Sequence, residues 1–252
     1  MNQEEIKKIN SLKQAKYRRQ HGLFLVEGTH GVAELLKSRW EIKSLILASE
    51  ARQTGKFSAL LKLAVGRRVP LHVVTRRIFE KLTSIENPQG ILAVAKVPKI
   101  DPGKLANEER IVIADGISDP GNLGTIVRTA VAFGYAGVIT TAGSADLFGD
   151  KTVRATQGAL FSIVPINHLD TASIIKKLKS THKFYALTPD AGTAVSAAVP
   201  SGRLALIVGA EAHGIGKELL DAADYRIGIP MDKKVESLNA AVSAAIAMYE
   251  LS

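Results

Sequence analysis

Short apolar runs alternate with amphipathic segments along the whole chain, in two stretches separated by one break. In the first stretch, runs at 24–26, 45–47, 71–74 and 91–95 read as strands. The periodic segments 31–38, 59–65 and 76–82 between them read as helices. In the second stretch, strands are expected at 111–114, 138–140, 163–166, 184–187, 204–208 and 225–229. Helices are expected over 125–133, 151–159, 173–178, 216–223 and 238–251. Leu204-Ala205-Leu206-Ile207-Val208 carries no polar residue. That is the pattern of a strand covered on both faces, and it predicts the centre of a parallel sheet. Strands alternating with helices throughout make this an α/β protein.

The break is Val97-Pro98-Lys99-Ile100-Asp101-Pro102-Gly103, where two prolines and a glycine interrupt the pattern. A linker at 98–106 therefore separates a smaller domain at 21–97 from a larger one at 107–252. Residues 1–20 are polar and basic, with Ile6, Ile9 and Leu12 at helical spacing. They read as a short helix or a basic arm, loosely held without a ligand.

Charge sharpens this division. The chain has 252 residues and a net charge of +9. Residues 1–110 carry 21 Lys+Arg against 11 Asp+Glu, and residues 111–252 carry 12 against 13. An excess confined to one segment points to a polyanion, above all nucleic acid. Zero cysteines exclude disulfides, thiolate metal sites and cysteine nucleophiles. No apolar run is long enough to span a membrane, and the polar start does not resemble a secretory signal. The expectation is a soluble, cytoplasmic protein with no membrane partner and no metal.

Three turns of the second domain follow the C-terminal ends of strands, where open α/β sheets bind ligands. The first runs from Asp115 through Asn122-Leu123-Gly124 to Arg128-Thr129-Ala130. Arg128, about one turn into the expected helix, could aim at phosphate or carboxylate. Asn122 could orient it or a hydroxyl. An ordinary Asn–Gly turn and a surface arginine would read the same way. The second is Gly209-Ala210-Glu211-Ala212-His213-Gly214. Gly209 would let a ligand lie against the backbone, and Glu211 could accept hydrogen bonds. His213 reads as a loop histidine, because no second histidine or cysteine stands near it. The third is Ile229-Pro230-Met231, followed by Glu236-Ser237-Leu238-Asn239. Ser237 and Asn239 sit where the last helix begins, and Ser237 would equally serve as its N-cap. Neither a dinucleotide fingerprint nor a Walker loop is present.

Together and in this order, the three segments resemble the signature motifs of the SpoU (TrmH-type) class of the SPOUT methyltransferase superfamily. Arg154 and Gly158-Ala159 are similar to that family too, while Ala210 departs from it, since many members carry Asn there. The first domain, with Phe24-Leu25-Val26-Glu27-Gly28 and Pro88-Gln89-Gly90-Ile91-Leu92-Ala93, is similar to the family's substrate-binding domain. That domain's fold resembles ribosomal and kink-turn-binding proteins.

The resemblance implies transfer of a methyl group from S-adenosylmethionine to a ribose 2′-hydroxyl, foremost in ribosomal RNA. Transfer to tRNA ribose, methylation of a base, or a non-catalytic RNA-binding or ribosome-assembly role are the alternatives. It implies a deep trefoil knot in the second domain and a homodimer. It assigns catalysis to Arg128, Asn122, Glu211, Ser237 and Asn239, and the cofactor to Gly209, Ile229, Met231, Ser237 and Leu238. Arg128 would act either as base or by holding the adjacent phosphate. The charge pattern adds Lys16, Arg18, Arg19, Arg67, Arg68, Arg76 and Arg77 as candidate RNA phosphate contacts.

Overall fold

The computed structural model describes every residue except Lys233 and Glu236. The chain begins with helices α1 (Gln3–Ser11) and α2 (Ala15–His21), then β1 (Leu23–Glu27), α3 (Thr29–Lys37), β2 (Ile42–Ala48), α4 (Ser49–Gln53) and α5 (Ser58–Gly66). β3 (Leu71–Val74), α6 (Arg76–Leu82) and β4 (Ile91–Lys96) follow. The second half runs β5 (Arg110–Asp115), α7 (Pro120–Ala132), β6 (Gly137–Thr140), α8 (Asp150–Ala155), β7 (Val164–Ile166), α9 (Thr171–Leu178) and β8 (Lys183–Leu187). It ends with β9 (Thr193–Ala194), β10 (Leu204–Gly209), α10 (Lys217–Ala222), β11 (Tyr225–Gly228) and α11 (Ala240–Glu250).

These elements form two units, Met1–Lys99 with Phe148–Ser162, and Ile100–Leu147 with Ile163–Ser252. The first holds a four-stranded sheet in the order β1-β4-β2-β3. Only β2 and β3 in it run parallel. The sequence pattern grouped residues 148–162 with the second domain, but they pack with the first unit. The reason is aromatic: Phe148 lies 5.2 Å from Phe24 and Phe161 lies 5.3 Å from Trp40, ring centre to ring centre.

The expected loose arm is two packed helices. Asn2 and Glu5 form a reciprocal capping box at the start of α1. Leu12 is fully buried with Phe79 and Leu82, and Ile6 and Ile9 pack against the same cluster. Apolar burial, not a ligand, holds the segment.

The second unit is a seven-stranded sheet in the order β7-β6-β5-β10-β8-β11-β9, parallel at every pairing. β10 lies at its centre and is buried over Leu204 to Val208, as its unbroken apolar run predicts. The start of the helix in the first motif differs from expectation. α7 begins at Pro120, because Asp119 caps it by accepting from Asn122 N–H at 2.7 Å and proline suits the first helical position. Asn122 thus lies in the first turn of α7, and Arg128 lies more than two turns in. The last helix likewise starts at Ala240. Its N-cap is Asn239, whose Oδ1 accepts from Ala241 and Val242 N–H, and not Ser237.

Candidate active site

All three turns sit at one end of the parallel sheet. After β5, Asp115 ties the loops together: Oδ1 accepts from Thr141 Oγ1 at 2.5 Å and Oδ2 from Gly216 N–H at 2.7 Å. After β10, Gly209 is followed by a tight loop closed by a bridge between Ala210 and Gly214. A Cβ on Gly209 would lie 2.2 Å from the Gly214 carbonyl carbon, so no side chain fits there. α11 enters beside this loop.

The three motifs meet at Glu211. Its Oε1 accepts from Asn239 Nδ2 at 2.8 Å, from Ala240 N–H at 3.0 Å and from Asn122 Nδ2 at 3.1 Å. Asn239 Nδ2 also donates to Asn122 Oδ1 at 3.0 Å. One carboxylate oxygen therefore anchors a side chain from each of the other two motifs. Its position is fixed before any ligand arrives, because three donors converge on it.

Beside this cluster lies a cleft lined by all five expected cofactor residues, Gly209, Ile229, Met231, Ser237 and Leu238. Thr188 and Ser243, which belong to none of the three motifs, also line it. Thr188 follows β8 at the ligand-binding end of the sheet, and that position was the available signal. A second, open cleft shares Ala210, Glu211, Gly214 and Ala240 with the first and adds Asp115, Ser118 and Asn122. A ligand in each would thus meet at Glu211. His213 is an exposed loop residue at the rim of this second cleft.

Arg128 does not join the cluster within one chain. It lies six residues past Asn122, about 120° away round a helix of 3.6 residues per turn. It is exposed, with no hydrogen bond or ion pair among the described residues. Glu236 lies outside the described residues.

The basic residues divide into two groups. Lys16, Arg19, Arg68, Arg76 and Arg77 are exposed, Arg76 in an ion pair with Glu80. Arg18 and Arg67 are structural, contrary to expectation. Arg18 is buried and donates to the carbonyls of Leu12 and Lys13, both at 2.9 Å. Arg67 donates to the carbonyls of Leu35, Leu36 and Trp40, closing the C-terminal end of α3. Their guanidinium groups satisfy helix-end carbonyls that would otherwise lack donors.

Residues 109–249 match the SpoU rRNA methylase family, and residues 3–93 match the MRM3-like substrate-binding domain. The chain belongs to the SpoU rRNA methylase family. Among relatives, it is 34% identical to the 23S rRNA (guanosine(2553)-2'-O)-methyltransferase RlmP of Bacillus subtilis over 98% of this chain and 96% of that protein. Among solved structures it is similar to an AdoMet-bound rRNA methyltransferase from Sinorhizobium meliloti. There the identity is 28%, the coverage 98% of this chain and 94% of that one, and the TM-score 0.87. It shares the fold of the SpoU methyltransferase AviRb from Streptomyces viridochromogenes, at 23% identity, a TM-score of 0.89, and coverage of 99% and 97%. The site described above lies wholly within the SpoU-matching segment.

Proposed function

We propose that this SpoU protein transfers a methyl group from S-adenosylmethionine to a guanosine ribose 2′-hydroxyl of 23S ribosomal RNA, in the cytoplasm. The observation that carries the reading is the junction at Glu211 of residues from all three motifs, beside a cleft lined by every expected cofactor residue. The cleft's donor set fits the cofactor. Leu187, Val208, Ile229, Met231 and Leu238 give apolar walls for an adenine, and Thr188 and Ser237 supply polar edges. The Glu211 carboxylate in the same lining would favour a cationic sulfonium.

When bound, S-adenosylmethionine supplies an electrophilic methyl with a good leaving group. The chain's task is then alignment of the hydroxyl and management of its proton. The second cleft, sharing Glu211 and bordered by Asn122, is the place for the ribose. Asn122 and Asn239 hold each other through the shared carboxylate, which leaves little freedom to lose on binding. Arg128 is assigned to the phosphate beside the reacting hydroxyl, where its charge favours the alkoxide. Its exposed setting in one chain argues against a role as base, which would need desolvation.

We also propose a homodimer. α11 leaves Val242 47% and Tyr249 64% exposed, and Phe133 stacks edge-on against Tyr249 at 5.7 Å. An apolar face of this kind at the end of α7, the helix that carries Arg128, suits a second copy of the chain. The trefoil knot belongs to the same reading, supported by the family membership of residues 109–249.

The test is transfer of labelled methyl to unmodified ribosomal and transfer RNA, followed by digestion to nucleosides. Label on ribosomal guanosine ribose is expected. Arg128→Ala should lower turnover at least a hundredfold, in the range of a lost transition-state donor, with cofactor binding retained. Label on the base, on tRNA alone, or on neither would reject the reading.

A further inference from the structure

The first unit contains a polar cavity that neither the charge pattern nor the methyl-transfer site accounts for. It lies between the turn after β1, the segment leading into β4 and the C-terminal end of α8, and measures about 210 Å³. Its rim is conformationally unusual. Gly28 and Gly158 have φ of +89° and +86°, and Gln157, which is not a glycine, has φ of +50°. A left-handed non-glycine residue is a cost, and such costs gather where a ligand must be held.

Two donors are held in place in this cavity, in a lining that also includes His30, Asn87 and Gln157. Gln89 Oε1 accepts from Thr29 N–H at 2.8 Å and Thr29 Oγ1 at 2.6 Å. That fixes the orientation of its amide, so Gln89 can offer the cavity only its Nε2 donors. Arg154 is a second donor. One of its nitrogens, Nη1, reaches Asp150 at 3.4 Å and Glu27 at 3.9 Å, and no partner for Nε or Nη2 is found among the described residues. Glu27 is engaged on the protein side of the cavity. Its oxygens already take Thr83 Oγ1 and Ser84 N–H. Glu27 and Asp150 balance Arg154 and nearby Lys13, which leaves no net positive charge for a phosphate.

A neutral, planar group with adjacent acceptors on one edge satisfies these conditions. We propose that this cavity receives an unpaired guanine of the RNA, through its O6 and N7, at a nucleotide other than the one methylated. Guanine presents two neighbouring acceptors on that edge, whereas adenine presents one acceptor and one donor. Single-stranded bases splayed from the helix are the usual currency of sequence recognition in RNA. The inference rests on the proposal that the chain acts on RNA.

The experiment uses the full chain and 12-nucleotide oligouridines with a central guanosine, adenosine or 7-deazaguanosine. Binding is read by fluorescence anisotropy, alongside methyl transfer to unmodified ribosomal RNA. Wild type should favour guanosine over adenosine about tenfold, the range of one bidentate contact, and lose most of this with 7-deazaguanosine. Gln89→Leu and Arg154→Gln should each bring guanosine and adenosine close to parity. In both variants, binding to plain oligouridine and the cofactor-induced thermal shift should stay unchanged. The KM for ribosomal RNA should rise while kcat holds. Equal affinity for the three oligonucleotides in wild type, or a preference that survives both substitutions, would overturn the inference while methyl transfer persists. Absence of both transfer and RNA binding in wild type would overturn the proposed function, and this inference with it.

Discussion

Glu211 shows how much one side chain organises. It lies in a loop, exposed, yet it collects donors from α7, the last loop and the start of α11. A Gly-x-Glu turn after an apolar strand made Glu211 visible in the sequence. Asn122 and Asn239 stood out in their own turns as well, but their meeting at Glu211 did not, because they are 117 positions apart. Spacing cannot report a contact of that range. Gly209 sets the loop's shape, and Gly209→Ala would drive a methyl group into the Gly214 backbone. The expected result is loss of the cofactor-induced thermal shift, with the melting temperature of the free protein lowered. Arg18 and Arg67 show the opposite limit: composition counts a cation without revealing that helix-end carbonyls already hold it. His182 carries a pH signature. Burial holds its imidazole below the ordinary 6.5, opposed by a hydrogen bond to the Glu108 carbonyl and assisted by nearby Arg203. The unfolded chain therefore takes up this proton first as pH falls. Stability should be intact above about 6.5 and decline with acidification from there down to the folded-state value. His182→Gln should flatten this part of a melting temperature against pH curve.

Elements were read from periodicity with good success in the strands and less at helix ends. Each strand of the second sheet except β9 was expected, because a buried parallel strand is a short unbroken apolar run. β9 has two residues, too few for any pattern. α7 was placed five residues late because Gly121, Asn122 and Gly124 look like a turn. The cap at Asp119 and the proline after it outweigh those residues' weak helix propensity. The Ile6, Ile9, Leu12 stripe of α1 is legible, but its partners Phe79 and Leu82 lie about seventy positions away, so the packing that holds α1 and α2 is not. Leu12 is the sensitive point, since it is 1% exposed and packs among Phe79 and Leu82. Leu12→Ala should cost about 2–5 kcal/mol of stability, measured by denaturant titration. A loss within a few tenths would mean that the two helices are not integral to the first unit.

For the whole molecule, charge asymmetry was legible from counting, but the number of usable cations was not. Five of the seven proposed phosphate contacts are exposed: Lys16, Arg19, Arg68, Arg76 and Arg77. If all five meet phosphate, log affinity for RNA should fall with log salt at a slope of about −4 from these residues. Arg68→Ala should reduce that slope by about 0.7–0.9, while Arg18→Ala should instead lower the melting temperature. The unit boundary was the least legible feature. Two prolines mark one crossing at 98–106, but nothing local marks residues 148–162 as cover for Phe24 and Trp40. That excursion has a consequence for synthesis on the ribosome. A nascent chain grows from its N-terminus, so residues 1–99 emerge while the aromatic surface they expose still lacks its lid. The first unit cannot close until residue 162 has left the exit tunnel, by which time the early strands of the second sheet, β5 and β6, are already outside. The order of emergence therefore interleaves the two units in time, and a stall before residue 148 would leave Phe24 and Trp40 open to chaperones.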